Sequence, residues 1–257
     1  MYCSSAFRNI YTDGKVLDCL GCGTIQVDVS KIYDASLTDY YRSAYRAEAK
    51  IVSDSSQATK SHYTSRARAI LEAARRHTSR SPSRIFEVGA GYGYNLKAMG
   101  EAYPEAELFT DELDQDLQGA MGARHGDLED GHYDIVILSH VLEHFTNPLG
   151  LLARSLAALS PGGVLVIEVP NDEDGISVVT DCDEPHLTFF GPATLEKTLA
   201  LLEDGRLAEI TTAGPNKEAT KSRKRLRRLL GVVPGALPVI DRMRKKGGAG
   251  GLPDYST

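Results

Sequence analysis

Three glycines spaced two apart, Gly89, Gly91 and Gly93, follow the acidic Glu87. At a strand-to-helix handover, glycines let the backbone turn tightly and approach a ligand with no Cβ in the way. The surroundings suit such a handover. Arg84-Ile85-Phe86-Glu87-Val88 reads as a strand, and a helix follows through Asn95-Leu96-Lys97-Ala98-Met99. The spacing is not a dinucleotide fingerprint, whose third glycine or alanine would fall at Tyr94, and no phosphate-binding lysine follows as in a P-loop. A bare strand–helix turn is the competing reading. If a nucleoside sits here, the next strand should end in a carboxylate that accepts from its ribose hydroxyls. Phe109-Thr110-Asp111-Glu112-Leu113-Asp114 supplies one about 20 residues beyond the turn. Register favours Glu112, with Asp111 in reserve. Gly126-Asp127-Leu128 stands where a third strand would end, and Asp127 there can accept from an exocyclic amine such as adenine N6. Each acid otherwise reads as a solvated loop carboxylate.

Proton chemistry has two candidates. His186 lies among apolar neighbours in Asp181-Cys182-Asp183-Glu184-Pro185-His186-Leu187-Thr188-Phe189-Phe190, where an imidazole can take a proton near neutral pH. A histidine that only orders the loop is the alternative. His144, in Leu142-Glu143-His144, is the second candidate, and capping of backbone groups is its plainer role. Metal chemistry is suggested by Cys19-Leu20-Gly21-Cys22-Gly23, a C-x-x-C-G knuckle whose thiolates can wrap zinc. Four ligands are wanted, and the one other cysteine nearby is Cys3. The expected set, Cys3, Cys19 and Cys22, is therefore one short, and a small reduced-thiol turn competes with it. The redox reading is weaker because no thioredoxin-like βαβ pattern surrounds the pair. Cys182 reads as a lone thiol.

These residues need a scaffold, and the chain between about 84 and 213 supplies alternating apolar runs and helical patterns. Ala106 to Thr110 reads as a second strand, and Tyr133-Asp134-Ile135-Val136-Ile137-Leu138 as one covered on both faces. Pro148 opens the following helix, with Leu149, Leu152, Leu156 and Leu159 expected on its buried side. Pro161-Gly162-Gly163 is expected to end that helix and turn the chain into Val164-Leu165-Val166-Ile167-Glu168-Val169. Such alternation implies a parallel sheet with ligands beyond the carboxyl ends of its strands. Four regions follow: a Cys-bearing segment over 1–38, a helical stretch over 39–80, the α/β domain over 81–214 and a tail over 215–257. In the second region Ala67, Ile70, Leu71 and Ala74 recur at helical spacing as one apolar face. Tyr40, Tyr41 and Tyr45 lie on one helical side, where packing explains them as well as a lid does.

Composition narrows the classes. The chain has 257 residues, 42 % hydrophobic and 25 % charged, which is ordinary for a soluble globular protein. No stretch approaches the roughly 20 apolar residues of a membrane span, and Met1-Tyr2-Cys3-Ser4-Ser5 offers no secretory signal, so a cytoplasmic location is expected. Four cysteines are too few for a disulfide scaffold. The net charge of −6 hides an asymmetry. Residues 217–246 carry eleven Lys or Arg against Glu218 and Asp241, a local +9 that leaves the rest at −15. Leu226, Leu229, Leu230 and Val233 run as a narrow apolar stripe among these bases. A peripheral membrane contact, an acidic partner, RNA, or the chain's own acidic body can each receive that arm. The Gly-rich end, Gly247-Gly248-Ala249-Gly250-Gly251, is expected to be disordered.

Three motifs in order carry a resemblance: Glu87-Val88-Gly89-Ala90-Gly91-Tyr92-Gly93, Tyr133-Asp134-Ile135-Val136-Ile137-Leu138-Ser139-His140-Val141-Leu142-Glu143-His144, and Leu159-Ser160-Pro161-Gly162-Gly163. Over roughly residues 84 to 212 the chain resembles the class I S-adenosylmethionine-dependent methyltransferases. The resemblance implies a Rossmann-like α/β sheet flanked by helices, with a small N-terminal Cys-containing segment and a basic C-terminal tail. It implies that Glu87, Gly89, Ala90, Gly91 and Gly93 lie against the methionine and ribose portions of the cofactor. Glu112 would meet the ribose hydroxyls, Asp127 and Leu128 the adenine, and Ser139-His140 the underside of the sulfonium. The (N/D)-P-P-(Y/F) signature of amino-directed DNA methyltransferases is replaced by Ser139-His140-Val141-Leu142, which disfavours DNA. The segment around His186 is similar to the Glu-His-Leu-x-Tyr-Phe run of sugar C-methyltransferases, with Pro185 in place of the Glu. Relatives acting on sugars or other small metabolites often begin with paired zinc knuckles. The expected activity is therefore methyl transfer to oxygen or carbon of a small polar metabolite, a sugar or sugar nucleotide. The competing classes are a non-catalytic methyltransferase-like scaffold and an RNA methyltransferase anchored by the basic arm.

Overall fold

A computed structural model describes residues 7–9, 16–20, 23–27, 57–114, 117, 121–171, 186–202 and 207–211. Cys3, Cys22, Cys182, Glu184, the tyrosines at 40, 41 and 45, the basic arm and the Gly-rich end lie outside the described residues. In chain order the elements are β1 (Phe7–Asn9), β2 (Val16–Cys19), β3 (Ile25–Val27), α1 (Gln57–His77), β4 (Arg84–Val88) and α2 (Tyr94–Ala102). They continue with β5 (Glu107–Thr110), β6 (Arg124–His125), β7 (Tyr133–Ser139), a 3₁₀ turn (Leu142–His144), α3 (Pro148–Ala157), β8 (Leu159–Glu168), β9 (Thr188–Phe189) and α4 (Pro192–Leu199).

Five strands form one parallel sheet in the order β6-β5-β4-β7-β8. This is the Rossmann-like arrangement with helices on both faces. Its central strands are largely apolar because both faces are covered, with Glu87 in β4 and Asp134 in β7 as buried polar residues. Successive side chains alternate, so Ile85, Ile135 and Ile137 pack on one face against Ile70, Leu71 and Ala74 of α1 and Leu96 and Met99 of α2. Phe86, Val88, Val136 and Leu138 pack on the other against Leu142, Leu151, Leu152 and Phe190. The helical face read at Ala67, Ile70, Leu71 and Ala74 is buried at all four positions. The polar exception in β7, Asp134, pins the amino ends of the strands together. It accepts from Ser83 N and Oγ, both at 2.8 Å, Arg84 N at 3.2 Å, Ser160 Oγ at 2.8 Å and Arg80 at 2.6 Å.

Two local expectations are corrected. The buried side of α3 is Pro148, Leu151, Leu152 and Ser155, while Leu149 and Leu156 are half-buried at its flanks and Leu159 already belongs to β8. Asn147 caps this helix by accepting from Gly150 N at 3.0 Å, which fixes its starting angle and hence the rotation of its apolar stripe. Pro161-Gly162-Gly163 does not end the helix, which stops at Ala157. It lies inside β8, where the pairing jumps from Tyr133↔Leu159 to Ile135↔Val164. Gly162 at φ +79° accommodates this bulge.

A second sheet, antiparallel, runs β1-β2-β3-β9. Its β2–β3 hairpin is closed by Gly23 N donating to Cys19 O at 2.8 Å and Cys19 N to Thr24 O at 3.0 Å, with Cys19 buried. Ile25 pairs with Phe189 and Gln26 with Thr188, so the described N-terminal strands join the chain just after His186. No helix among the described residues is long and apolar enough to cross a membrane.

Candidate active site

β4 delivers the glycine loop to the carboxyl edge of the parallel sheet. Gly89, Gly91 and Gly93 adopt φ of +55°, +55° and +68°, the left-handed region that glycine enters without penalty. The three are not equivalent. A Cβ on Gly93 would lie 2.6 Å from Met121 Cγ, and one on Gly89 would lie 3.1 Å from Val141 Cγ1. A Cβ on Gly91 would meet nothing within 4 Å among the described residues. Two glycines thus serve the protein's own packing, whereas Gly91 borders open space.

The acids read from the sequence converge on this loop. Asp111 Oδ1 accepts from Gly89 N at 2.8 Å, and Glu112 Oε2 accepts from Gly91 N at 2.7 Å. Glu112 Oε1 also accepts from Asp114 N at 2.8 Å. Burial pushes the Asp111 carboxyl up to about 6, against the Gly89 bond that lowers it. Glu87 is 2 % exposed; Asn95 Nδ2 donates to its Oε1 at 2.6 Å, while its Oε2 has no hydrogen-bond partner among the described residues. Burial pushes this carboxyl up to about 8. An orphaned buried acceptor wants a donor, and a cationic one best. In the strand that feeds the glycine loop, that is a fit for a nucleoside carrying an ammonium group. Asp127 and Leu128 follow β6; the Asp127 carbonyl accepts from Tyr133 OH at 2.7 Å, and Leu128 packs against the core cluster that contains Phe86 and Tyr133. Ala90, half-buried, packs on the opposite cluster.

The ends of β7 and β8 carry a polar network that spacing alone does not reveal. Arg66 of α1 donates to Glu168 through Nε at 3.1 Å and Nη2 at 2.8 Å, and Ser139 Oγ donates to the same carboxylate at 2.8 Å. Burial raises the Glu168 carboxyl, but Arg66 and Ser139 outweigh it and hold it below the ordinary value. Tyr63, one turn before Arg66, stacks on Tyr94 of α2 at 5.3 Å. His140 stands at φ +54°, a strained setting for a non-glycine residue, with its N–H given to Glu168 O at 2.9 Å.

That backbone setting brings His140 Nδ1 within 3.4 Å of Glu143 Oε1. Glu143 is 1 % exposed, and neither of its oxygens has a hydrogen-bond donor among the described residues. His144 Nε2 lies 3.8 Å from Glu143 Oε1 and His186 Nε2 4.0 Å, and the two imidazoles meet edge to face at 4.9 Å. Burial raises the Glu143 carboxyl, yet the three histidines together hold it below the ordinary value. Both proton candidates, His144 and His186, therefore face one buried carboxylate. Sequence reasoning looked for that partner at Pro185 and Glu184. The structure places it 43 residues upstream of His186, and Leu187 N donating to Glu143 O at 2.8 Å ties the two segments together. A signal was present in the H-x-x-E-H spacing, which sets His140, Glu143 and His144 on one turn.

A glycine loop with acids after two successive strands, at the carboxyl edge of a β6-β5-β4-β7-β8 sheet, defines the class: a class I S-adenosylmethionine-dependent methyltransferase fold. Residues 60–237 match the family described as the methyltransferase domain, and the chain belongs to that family. The trans-aconitate 2-methyltransferase of Rhodopseudomonas palustris is 26 % identical over 107 residues, covering 37 % of this chain and 42 % of the relative, so the match spans less than half of that protein. Among solved structures, the methyltransferase bound to the Trm112 activator of Haloferax volcanii covers 71 % of this chain and 93 % of its own, at 18 % identity and a TM-score of 0.50. The plantazolicin methyltransferase, solved with S-adenosylhomocysteine, covers 77 % of this chain and 92 % of its own at 17 % identity and a TM-score of 0.47.

Proposed function

We propose that this chain transfers a methyl group from S-adenosylmethionine to a small polar metabolite, a sugar or sugar nucleotide, at oxygen or carbon. One observation carries the reading: the glycine loop, fed by the strand that holds the orphaned Glu87 oxygen, lies at the same carboxyl edge of the sheet as the buried Glu143–histidine cluster. S-adenosylmethionine, when bound, supplies a methyl carbon activated by a positive sulfur, so the protein's share is alignment and removal of a proton. Glu87, Ala90 and Gly91 hold the methionine and ribose side, on a turn that Gly89 and Gly93 shape by packing, with Glu112 at the ribose hydroxyls and Asp127 with Leu128 at the adenine. Ser139 and His140 lie beneath the sulfonium. The Glu143 cluster is where the acceptor loses its proton, through His186 with His144 behind it. A buried carboxylate that gathers three imidazoles is an expensive feature for a purely structural module, which favours an enzyme over a scaffold. The sugar-like acceptor rests on the likeness of the His186 segment to sugar C-methyltransferases.

Calorimetry with S-adenosylhomocysteine tests the cofactor half. Binding by the wild type, abolished in Gly91→Asp and Glu112→Ala, is the expected result. Transfer of labelled methyl from S-adenosylmethionine to a panel of sugar nucleotides then tests the acceptor half. Tight cofactor binding without transfer in that panel or in any extract overturns the enzymatic reading in favour of a scaffold.

A further inference from the structure

We propose that Glu143, His144 and His186 form a binding site for one divalent transition-metal ion. Their ligand atoms all lie within 4.8 Å of one another. An ion about 2.0–2.2 Å from each ligand asks for ligand atoms roughly 3–3.5 Å apart. The Glu143–His144 and Glu143–His186 separations of 3.8 and 4.0 Å are therefore within a small side-chain rotation of that triangle, and too long for hydrogen bonds. Glu143 supplies the independent observation. Both of its oxygens are sealed from solvent with no hydrogen-bond donor among the described residues, a condition that a cation at the centre of the triangle relieves directly. The positions are also fixed from behind. Glu143 and His144 sit on one 3₁₀ turn, and His186 is anchored to it by the Leu187 N to Glu143 O bond.

Two imidazoles and one carboxylate select zinc, manganese, iron or cobalt over magnesium or calcium, which prefer all-oxygen sets. Three protein ligands leave coordination positions open, the pattern of a catalytic rather than a structural site. The consequence for the acceptor rests on the function proposed above. An ion here binds the acceptor through an ionisable oxygen, a hydroxyl or an adjacent diol, and lowers its pKa. His144 and His186 then serve proton loss as ligands, holding the ion that lowers the pKa of the acceptor oxygen.

The full-length protein, stripped with chelator and dialysed, is titrated with Co²⁺ or Zn²⁺ by calorimetry, with bound metal counted by elemental analysis. One ion per chain is expected, with a Co²⁺ spectrum that lacks the thiolate charge-transfer band. Glu143→Gln and His186→Gln should each weaken binding by at least tenfold, whereas Cys19→Ser and Cys22→Ser should retain it. No ion in the wild type overturns the proposal, as does an ion that survives both Glu143→Gln and His186→Gln. Affinity for S-adenosylhomocysteine checks that each variant is folded. Should Glu143→Gln fail to fold, His186→Gln and the wild-type Co²⁺ spectrum decide. Metal binding without methyl transfer would leave this site standing and sink the enzymatic reading, and transfer unaffected by chelator would do the reverse.

Discussion

The two halves of the carboxyl edge are built in different ways. On the β4–β5 side, Gly89, Gly91, Asp111 and Glu112 lie within 24 consecutive residues and meet through backbone amides. On the β7–β8 side, Arg66, Ser139, Glu143, Glu168 and His186 come from five segments and meet through side chains. A local, backbone-built site is specified by spacing and serves a ligand of fixed shape. A site assembled across long sequence separations can exchange side chains without touching the loop geometry, as an acceptor pocket requires. The difference predicts that cofactor affinity and turnover are separable by mutation.

The largest separation is expected at Gly91. With no atom near its Cβ position, Gly91→Asp should barely disturb packing, while its side chain and charge enter the cofactor space. We expect loss of S-adenosylhomocysteine affinity by more than about 100-fold, with a melting temperature lowered only by the left-handed strain, on the order of 1–2 kcal/mol. Gly93→Ala makes the converse case. Its Cβ would collide with Met121, so stability should fall by about 1–3 kcal/mol while affinity in the folded fraction persists. If the two variants lose affinity equally, the loop is a single packed unit and the comparison fails. On the other side, His186→Gln should lower kcat by about 10²–10⁴ with cofactor affinity unchanged, the range of a lost group that removes the acceptor's proton, directly or by holding an ion there. Equal losses in both quantities would mean that the acceptor half also builds the cofactor site.

The same contrast explains what was legible from the sequence. The strands at Arg84–Val88, Glu107–Thr110 and Tyr133–Ser139 lie within a residue of their periodicity-based bounds, because strands in a covered sheet carry short, largely apolar runs. The acids at Asp111 and Glu112 were legible because the βα unit fixes their distance from the loop. Glu143 as the common partner of three histidines was not, since the contact with His186 depends on how β9 docks against the 3₁₀ turn. Arg66–Glu168 spans 102 positions with no periodic trace. The Pro161-Gly162-Gly163 bulge misleads for a physical reason: the residues that stop a helix are also those that loop out of a strand.

A smaller effect should appear at the opposite edge of the sheet. Asp134 gathers donors from Ser83, Arg84, Arg80 and Ser160 at the amino ends of the strands, far from either ligand half. Burial raises its carboxyl, but those bonds outweigh it and hold it well below the ordinary range. Its stabilisation is therefore complete above the ordinary carboxylate value and is lost as pH falls toward the depressed one. Asp134→Asn should reduce stability by about 2–4 kcal/mol at pH 7 and flatten the acid limb of the melting curve, with kcat in the folded protein unchanged. A change in kcat would mean that the amino edge also sets the chemistry.

The most diagnostic effect is a pH slope with the opposite sign, at Glu87. The unfolded carboxyl releases its proton near 4.5, while burial keeps the folded one protonated until about 8. Between those values the unfolded chain holds fewer protons than the folded one, so this group lowers the stability of the cofactor-free protein as pH rises. Glu87→Gln preserves the amide-to-oxygen bond from Asn95 and removes the titration. Its melting temperature should match the wild type near pH 5 and exceed it near pH 8, the gap widening with pH. Cofactor should erase the gap, because a cationic donor on the orphaned oxygen stabilises the ionised wild type and not the amide. A wild-type melting curve without this slope, or a gap that saturating S-adenosylhomocysteine leaves untouched, would move Glu87 out of the cofactor half and into the core of the sheet.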